Sequence, residues 1–74
     1  MNMVLITGSN CPACEVVKNN LPNGHGIRMM DADTPEGMTE MAYHGFNMIP
    51  ALIVDDETVI LGMPDILDYL AGKK

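Results

Sequence analysis

Two cysteines, Cys11 and Cys14, have the types and spacing best suited to chemistry, and they are the only cysteines in the sequence. If the first of them begins a helix, the second lies one turn further along on the same side. Unpaired N–H groups at the start of a helix favour negative charge, so we expect the Cys11 thiol to ionise more readily than a free thiol. The pattern favours reversible thiol–disulfide exchange, in which exposed Cys11 attacks a disulfide and the more buried Cys14 resolves the mixed disulfide.

Three other uses of the same pair stay open. A passive structural disulfide would stabilise the chain little, because a three-residue step closes almost no loop. Zinc binding by Cys11, Cys14, His25 and His44 has suitable ligand types, although the two histidines are spaced much further apart than in a zinc finger. A non-enzymatic soft-metal module with a ferredoxin-like β-α-β-β-α-β order would also place a Cys-x-x-Cys pair at its first loop and helix.

The composition indicates a single domain over residues 1–74 and excludes some partners. Hydrophobic residues make up 47% of the chain, which fits a compact core. Ten acidic against four basic residues give a net charge of −6, which argues against nucleic-acid binding. The sequence contains no apolar stretch near the roughly 20 residues that span a membrane, and it begins without the features of a signal peptide. We therefore expect a cytoplasmic protein without a membrane partner, and we expect a monomer.

The elements that position the cysteines can be predicted from patterning. Residues 3–7 are a continuous apolar run, typical of a strand buried on both faces. A helix is predicted over residues 12–20 and a second strand over residues 26–31. Their expected apolar positions are Ala13, Val16 and Val17 in the helix, and Ile27, Met29 and Met30 in the strand. The first β-α-β unit should be a right-handed crossover with parallel strands.

The second half predicts a helix, a hairpin and a last helix. The helix should be capped by Asp33 or Thr34 and end at Gly45, and its expected buried stripe is Met38, Met41 and Ala42. Tyr43 and His44, at its end, are interpreted as surface or capping residues. Residues 51–54 and 58–61 form a predicted hairpin, and the last helix carries Ile66, Leu67 and Leu70. The order β-α-β-α-β-β-α indicates an α/β fold whose mixed sheet has helices on both faces.

Three features in this order resemble the glutaredoxin/thioredoxin superfamily. They are Cys11-Pro12-Ala13-Cys14 after the first strand, Ile49-Pro50 before the third, and Gly62-Met63-Pro64-Asp65 before the last helix. The resemblance covers essentially the whole chain. It implies a thioredoxin fold with a four-stranded mixed sheet in the order 2-1-3-4, flanked by three helices.

The resemblance also implies site residues. Cys11 and Cys14 would be catalytic, and the substrate-binding residues would be Pro12, Ile49, Pro50, Gly62 and Met63. The Ile49–Pro50 peptide would be cis and face the cysteines, leaving the Ile49 backbone free to pair with an extended substrate. Gly62 would let a substrate backbone approach closely. Met48 and Met63 are candidates for an apolar docking surface beside the cysteines.

The chain departs from both branches of the superfamily. Ser9 and Asn10 stand where glutaredoxins carry a basic residue, and the first strand lacks the buried acid of thioredoxins. The Gly-x-Pro-Asp stretch is similar to the small NrdH-redoxins, which are hydrogen donors of ribonucleotide reductase. That similarity implies protein disulfide substrates, no bound cofactor or metal, and electrons from a flavoprotein disulfide reductase. Thioredoxin reductase with NADPH is favoured over glutathione.

Overall fold

The computed structural model describes residues 2–21 and 26–72. Seven elements follow one another there: β1 (Met3–Thr7), α1 (Pro12–Asn19), β2 (Arg28–Asp31), α2 (Pro35–His44), β3 (Ala51–Val54), β4 (Thr58–Leu61) and α3 (Met63–Gly72). The predicted order β-α-β-α-β-β-α is confirmed. His25 lies outside the described residues.

The four strands form one mixed sheet in the order β2-β1-β3-β4, as the resemblance implies. β1 runs parallel to β2 and antiparallel to β3, and β4 runs antiparallel to β3. The last residues of β1, β2 and β4 therefore lie beside the first residue of β3. We call this the exit end of the sheet, marked by Thr7, Asp31, Ala51 and Leu61. The opposite end, where the turn of residues 55–57 joins β3 to β4, is called the hairpin end.

Side chains alternate along the central strands, so each face of the sheet carries its own buried cluster. Leu5 and Leu52 lie on one face with Val17 of α1 and Ile66 of α3. The other face carries Val4, Ile6, Ala51 and Ile53, against which Met41 of α2 packs. Helices α1 and α3 thus cover one face and α2 the other, as predicted. None of the described helices exceeds ten residues, and none has the length and apolar character needed to cross a bilayer.

The predicted buried stripe of α2 is wrong for two of its three residues. Met38 is 56% exposed and Ala42 is also exposed, while Met41 is partly buried. The buried residue of α2 is Gly37, where an added Cβ would overlap the backbone carbonyl of Asp31 at the end of β2. The helix therefore lies against the β2 backbone at a glycine, so it does not need a full row of apolar side chains there.

Two apolar positions of the predicted elements, Val16 and Met29, face solvent. Val16 is 40% exposed, because α1 buries Cys14 and Val17. Met29 is 46% exposed because β2 is a short edge strand with only one neighbour. The residue that anchors this segment is Ile27, which is buried and precedes the strand.

Candidate redox site

Cys11 and Cys14 form a disulfide at the start of α1, with their Cα atoms 5.2 Å apart. Cys11 is the N-cap residue, and its Sγ accepts a hydrogen bond from the Cys14 N–H at 3.2 Å. Cys14 is fully buried, whereas Cys11 is partly exposed. The first turn of α1 therefore places the two sulfurs side by side. It leaves Cys11 more accessible than Cys14 to a reacting partner. The predicted difference in burial is confirmed, and the roles of attacking and resolving cysteine stay predictions.

The local sequence explains how β1 leads into the disulfide. Asn10 has a φ of 54°, in the left-handed region that asparagine tolerates better than most residues. Pro12 follows Cys11 in the first turn of α1, where its missing N–H removes no helical hydrogen bond. The Glu15 N–H donates to the Cys11 carbonyl at 3.1 Å and closes that turn. The helix start then favours negative charge on the Cys11 sulfur when the disulfide is reduced.

Strand register brings Pro50 and Gly62 to the same end of the sheet. Ala51 pairs with Ile6, so Pro50 lies at the exit end, where β1 leaves the sheet toward Cys11. The Gly62 N–H donates to the Pro50 carbonyl at 3.0 Å. Gly62 has a φ of 89°, which favours glycine, and its carbonyl accepts the Ile66 N–H in the first turn of α3. Three segments distant in sequence therefore converge at the exit end.

The Ile49–Pro50 peptide is cis, as the resemblance implies. Pro50 is buried, and the Ile49 side chain packs on the cluster that contains Ile6 and Ala51. Within the described part of the chain, neither the N–H nor the carbonyl of Ile49 makes a backbone hydrogen bond. Both groups are therefore available to pair with an extended peptide.

The remaining predicted contact residues differ in exposure. Pro12 is exposed beside the disulfide. Met63 is partly buried and packs on the cluster between the sheet, α1 and α3, whereas Met48 is 49% exposed. Of the two methionines predicted to form a docking surface, Met48 presents the larger apolar area.

The charged residues that follow the disulfide on α1 are Glu15 and Lys18. Lys18 pairs with Glu15 at 3.3 Å on the exposed side of α1. Strand β1 contributes only apolar side chains and Thr7, so it has no carboxylate to accept a proton. The start of α1 is a feature that would favour a thiolate at Cys11.

The structure separates His44 from the cysteines. His44 ends α2, and its Nε2 lies 3.3 Å from the Asp56 carboxylate, in the turn at the hairpin end. The four residues of β3 separate that turn from the exit end, a length of about 13 Å at ~3.3 Å per residue. His44 therefore cannot join Cys11 and Cys14 in one zinc site, and the ferredoxin-like alternative is excluded by the observed order of elements.

The interpretation of His44 as a surface or capping residue is wrong. Its side chain is only 6% exposed, whereas Tyr43 beside it is 73% exposed as expected. The sequence does contain one local indication that His44 has a partner. Glu40 and His44 are four residues apart and so lie on the same face of the helix. His44 has a second acidic neighbour, Asp56, which only the folding of the β3–β4 turn against α2 brings beside it.

Comparisons with known proteins point to one family. A family model described as a thioredoxin domain matches residues 1–68. A protein of Archaeoglobus fulgidus described as a probable thioredoxin is 34% identical over 68 residues, which cover 85% of this chain and 75% of that protein. The disulfide at the start of α1, the sheet order and these matches agree. The chain belongs to the thioredoxin family, within the thioredoxin/glutaredoxin-like superfamily, and its chemistry is thiol–disulfide exchange.

Proposed function

We propose that this protein is a thiol–disulfide oxidoreductase that reduces disulfides in other proteins. The observation that carries the proposal is the unequal burial of the pair, with Cys11 partly exposed and Cys14 fully buried. A partner disulfide can reach the Cys11 sulfur, whereas Cys14 can act only on a bond already formed at Cys11. The unpaired backbone of Ile49 would hold the partner as an added strand at the exit end.

The reaction uses the two sulfurs in turn. The Cys11 thiolate attacks one sulfur of the partner disulfide, forming a mixed disulfide and releasing the other partner sulfur as a thiolate. The Cys14 thiolate then attacks the Cys11 sulfur, closes the Cys11–Cys14 disulfide and releases the second partner thiolate. Two electrons pass to the partner, and its thiolates take protons from solvent. The Cys14 N–H, 3.2 Å from the Cys11 Sγ, stabilises the attacking thiolate.

We propose that a flavoprotein disulfide reductase of the thioredoxin reductase type, using NADPH, regenerates the dithiol. Glutathione carries carboxylates that need cationic partners, and Lys18 and Arg28 are the only lysine or arginine among the described residues. Lys18 pairs with Glu15, and Arg28 borders a surface depression with Glu36 and Glu40. This charge pattern supports the reductase over glutathione, and the protein would act as a cytoplasmic monomer without a bound cofactor.

Among protein disulfides, we propose that of ribonucleotide reductase as a substrate. The support is the stretch Gly62-Met63-Pro64-Asp65, which is similar to that of the small redoxins serving this enzyme. Gly62 begins the stretch at the exit end, beside Pro50, where a partner would dock. Reduced protein as sole electron donor should support turnover of ribonucleotide reductase. Reduction of insulin disulfides without such turnover would contradict this assignment and leave the general activity standing.

A coupled assay of NADPH consumption tests the proposal. The oxidised protein is incubated with insulin and either thioredoxin reductase or glutathione plus glutathione reductase. We expect turnover with the first system and little with the second, and none above background for Cys11→Ser. Asp68→Asn, a change at an exposed α3 residue, is the control variant and should match the parent. Equal turnover by Cys11→Ser would contradict the oxidoreductase assignment, and turnover with glutathione alone would contradict the proposed donor.

A further inference from the structure

We propose that Glu40, His44 and Asp56 bind one divalent transition-metal ion of the Zn²⁺ type at the hairpin end of the sheet. The first two residues lie four apart on α2, and the third lies in the turn between β3 and β4. This site is distinct from the cysteine pair and uses none of its atoms. It would link α2 to the β3–β4 hairpin.

The distances among the three side chains fit a small ion. His44 Nε2 lies 3.4 Å from Glu40 Oε1 and 3.3 Å from Asp56 Oδ1. All three donor atoms lie within 4.8 Å of one another. In a tetrahedral zinc site with bonds of about 2.0–2.1 Å, neighbouring ligand atoms are about 3.3 Å apart. The two nitrogen–oxygen distances therefore match the spacing of ligand atoms around one zinc ion.

The burial of His44 is the observation that indicates a bound ion. Its side chain is only 6% exposed, and its Nε2 is buried without a hydrogen-bond partner among the described residues. Buried polar atoms are nearly always satisfied, so this nitrogen calls for an explanation. Both carboxylates approach it, and a coordinated metal ion would satisfy all three groups together.

A proton on Nε2 fits the arrangement less well than a metal ion. A single N–H can point at only one acceptor, whereas two carboxylates lie at nearly equal distances from this nitrogen. Both distances also exceed the roughly 2.7–2.9 Å of a charge-assisted hydrogen bond. A metal ion between the three atoms would contact each of them at once.

The donor set indicates the class of metal. An imidazole with two carboxylates suits Zn²⁺, whereas Mg²⁺ and Ca²⁺ take oxygen ligands. Asp56 has a side chain that is 65% exposed, so water can complete the coordination from the solvent side. The Tyr43 ring contacts the His44 ring edge to face, with centroids 4.9 Å apart, which helps to fix the orientation of the imidazole.

Calorimetric titration of Zn²⁺ into the oxidised protein at neutral pH tests the proposal, because the disulfide removes the cysteine thiolates as ligands. We expect one ion per chain, no comparable binding of Mg²⁺, and a higher melting temperature that falls again on addition of EDTA. His44→Gln should weaken zinc binding at least about 100-fold, more than the loss of a supporting residue outside the ligand set. His25→Gln is the matched control and should bind zinc like the parent.

A second pair of variants covers the case in which His44→Gln disturbs the helix. Asp56→Asn changes an exposed turn residue and should weaken zinc binding, whereas Glu57→Gln beside it should not. The Cys11→Ser/Cys14→Ser double variant should retain zinc binding. Absence of binding to the oxidised parent, or equal binding by parent and His44→Gln, would overturn the proposal. Binding of Mg²⁺ as tightly as Zn²⁺ would also overturn it, since it would indicate only an acidic surface.

Discussion

The two ends of the sheet are built in different ways. At the exit end, the reactive atoms come from one helical turn, and Pro50 and Gly62 are added to them by strand register. At the hairpin end, Glu40 and His44 come from α2 and their partner Asp56 from a separate turn. The reactive atoms of the first site come from neighbouring residues, whereas the second site exists only once α2 has packed on the sheet.

The two sites therefore depend on different parts of the fold. The disulfide needs α1 and the loop that follows β1, so it should tolerate small movements of α2. The cluster of Glu40, His44 and Asp56 forms only if α2 lies at a fixed distance from the sheet. That distance is set at Gly37, where the helix meets the Asp31 backbone at the exit end. Helix α2 therefore connects the two ends, and substitutions along it and beside Ile49 can separate their properties.

Gly37→Ala should have the largest effect on stability. The new Cβ would overlap the Asp31 carbonyl, which is backbone and cannot move aside cheaply. We expect a loss of about 1–3 kcal/mol in the free energy of unfolding, typical of an overpacked site. This loss opposes the gain of about 1 kcal/mol that alanine normally brings to a helix interior. Urea unfolding measures the change, and zinc binding should weaken more than reductase turnover.

Met38→Ala provides the matched control for Gly37→Ala. Met38 is the next residue on the same helix and is 56% exposed, so its truncation should change the free energy of unfolding by no more than about 0.5 kcal/mol. A Gly37→Ala variant as stable as the parent would contradict the close approach of α2 to β2. The same result would contradict the role of α2 in connecting the two ends of the sheet.

Gly8→Ala should have a smaller effect, confined to the exit end. Its Cβ would meet the Ile49 Cδ1 at 2.7 Å, and this methyl group is the flexible end of a side chain. Ile49 should therefore rotate, with little loss of stability, and disturb the surface that receives a substrate strand. We expect a roughly two- to ten-fold rise in KM for a protein disulfide, equivalent to about 0.4–1.4 kcal/mol.

Ile49→Val removes the crowded Cδ1 and supplies the control. In a double-mutant cycle, Gly8→Ala should raise KM less in the Ile49→Val background than in the parent. Zinc binding at the hairpin end should stay unchanged in all three variants. An equal rise in KM in both backgrounds would show that Gly8 acts by another route.

The sequence predicted the exit end better than the hairpin end, for physical reasons. Cys-x-x-Cys at a helix start is a local pattern, and the order of elements follows from strand and helix periodicity. The exposure of Met38 depends on how closely α2 approaches β2. The spacing of apolar residues along a helix does not predict that distance. The burial of His44 depends on a turn twelve residues away in sequence. Both are tertiary effects, and both concern α2.

A trapping experiment with Cys11→Ser and Cys14→Ser tests the roles of the two cysteines most directly. Each reduced variant is mixed with a protein disulfide, quenched with acid, and analysed by intact mass and peptide mapping. We predict that Cys14→Ser accumulates a mixed disulfide at Cys11, because the partly exposed sulfur attacks and the resolving sulfur is missing. We predict no adduct with Cys11→Ser, whose remaining sulfur is fully buried. An adduct that accumulates with Cys11→Ser and not with Cys14→Ser would contradict the assignment of Cys11 as the attacking residue and reverse the two roles.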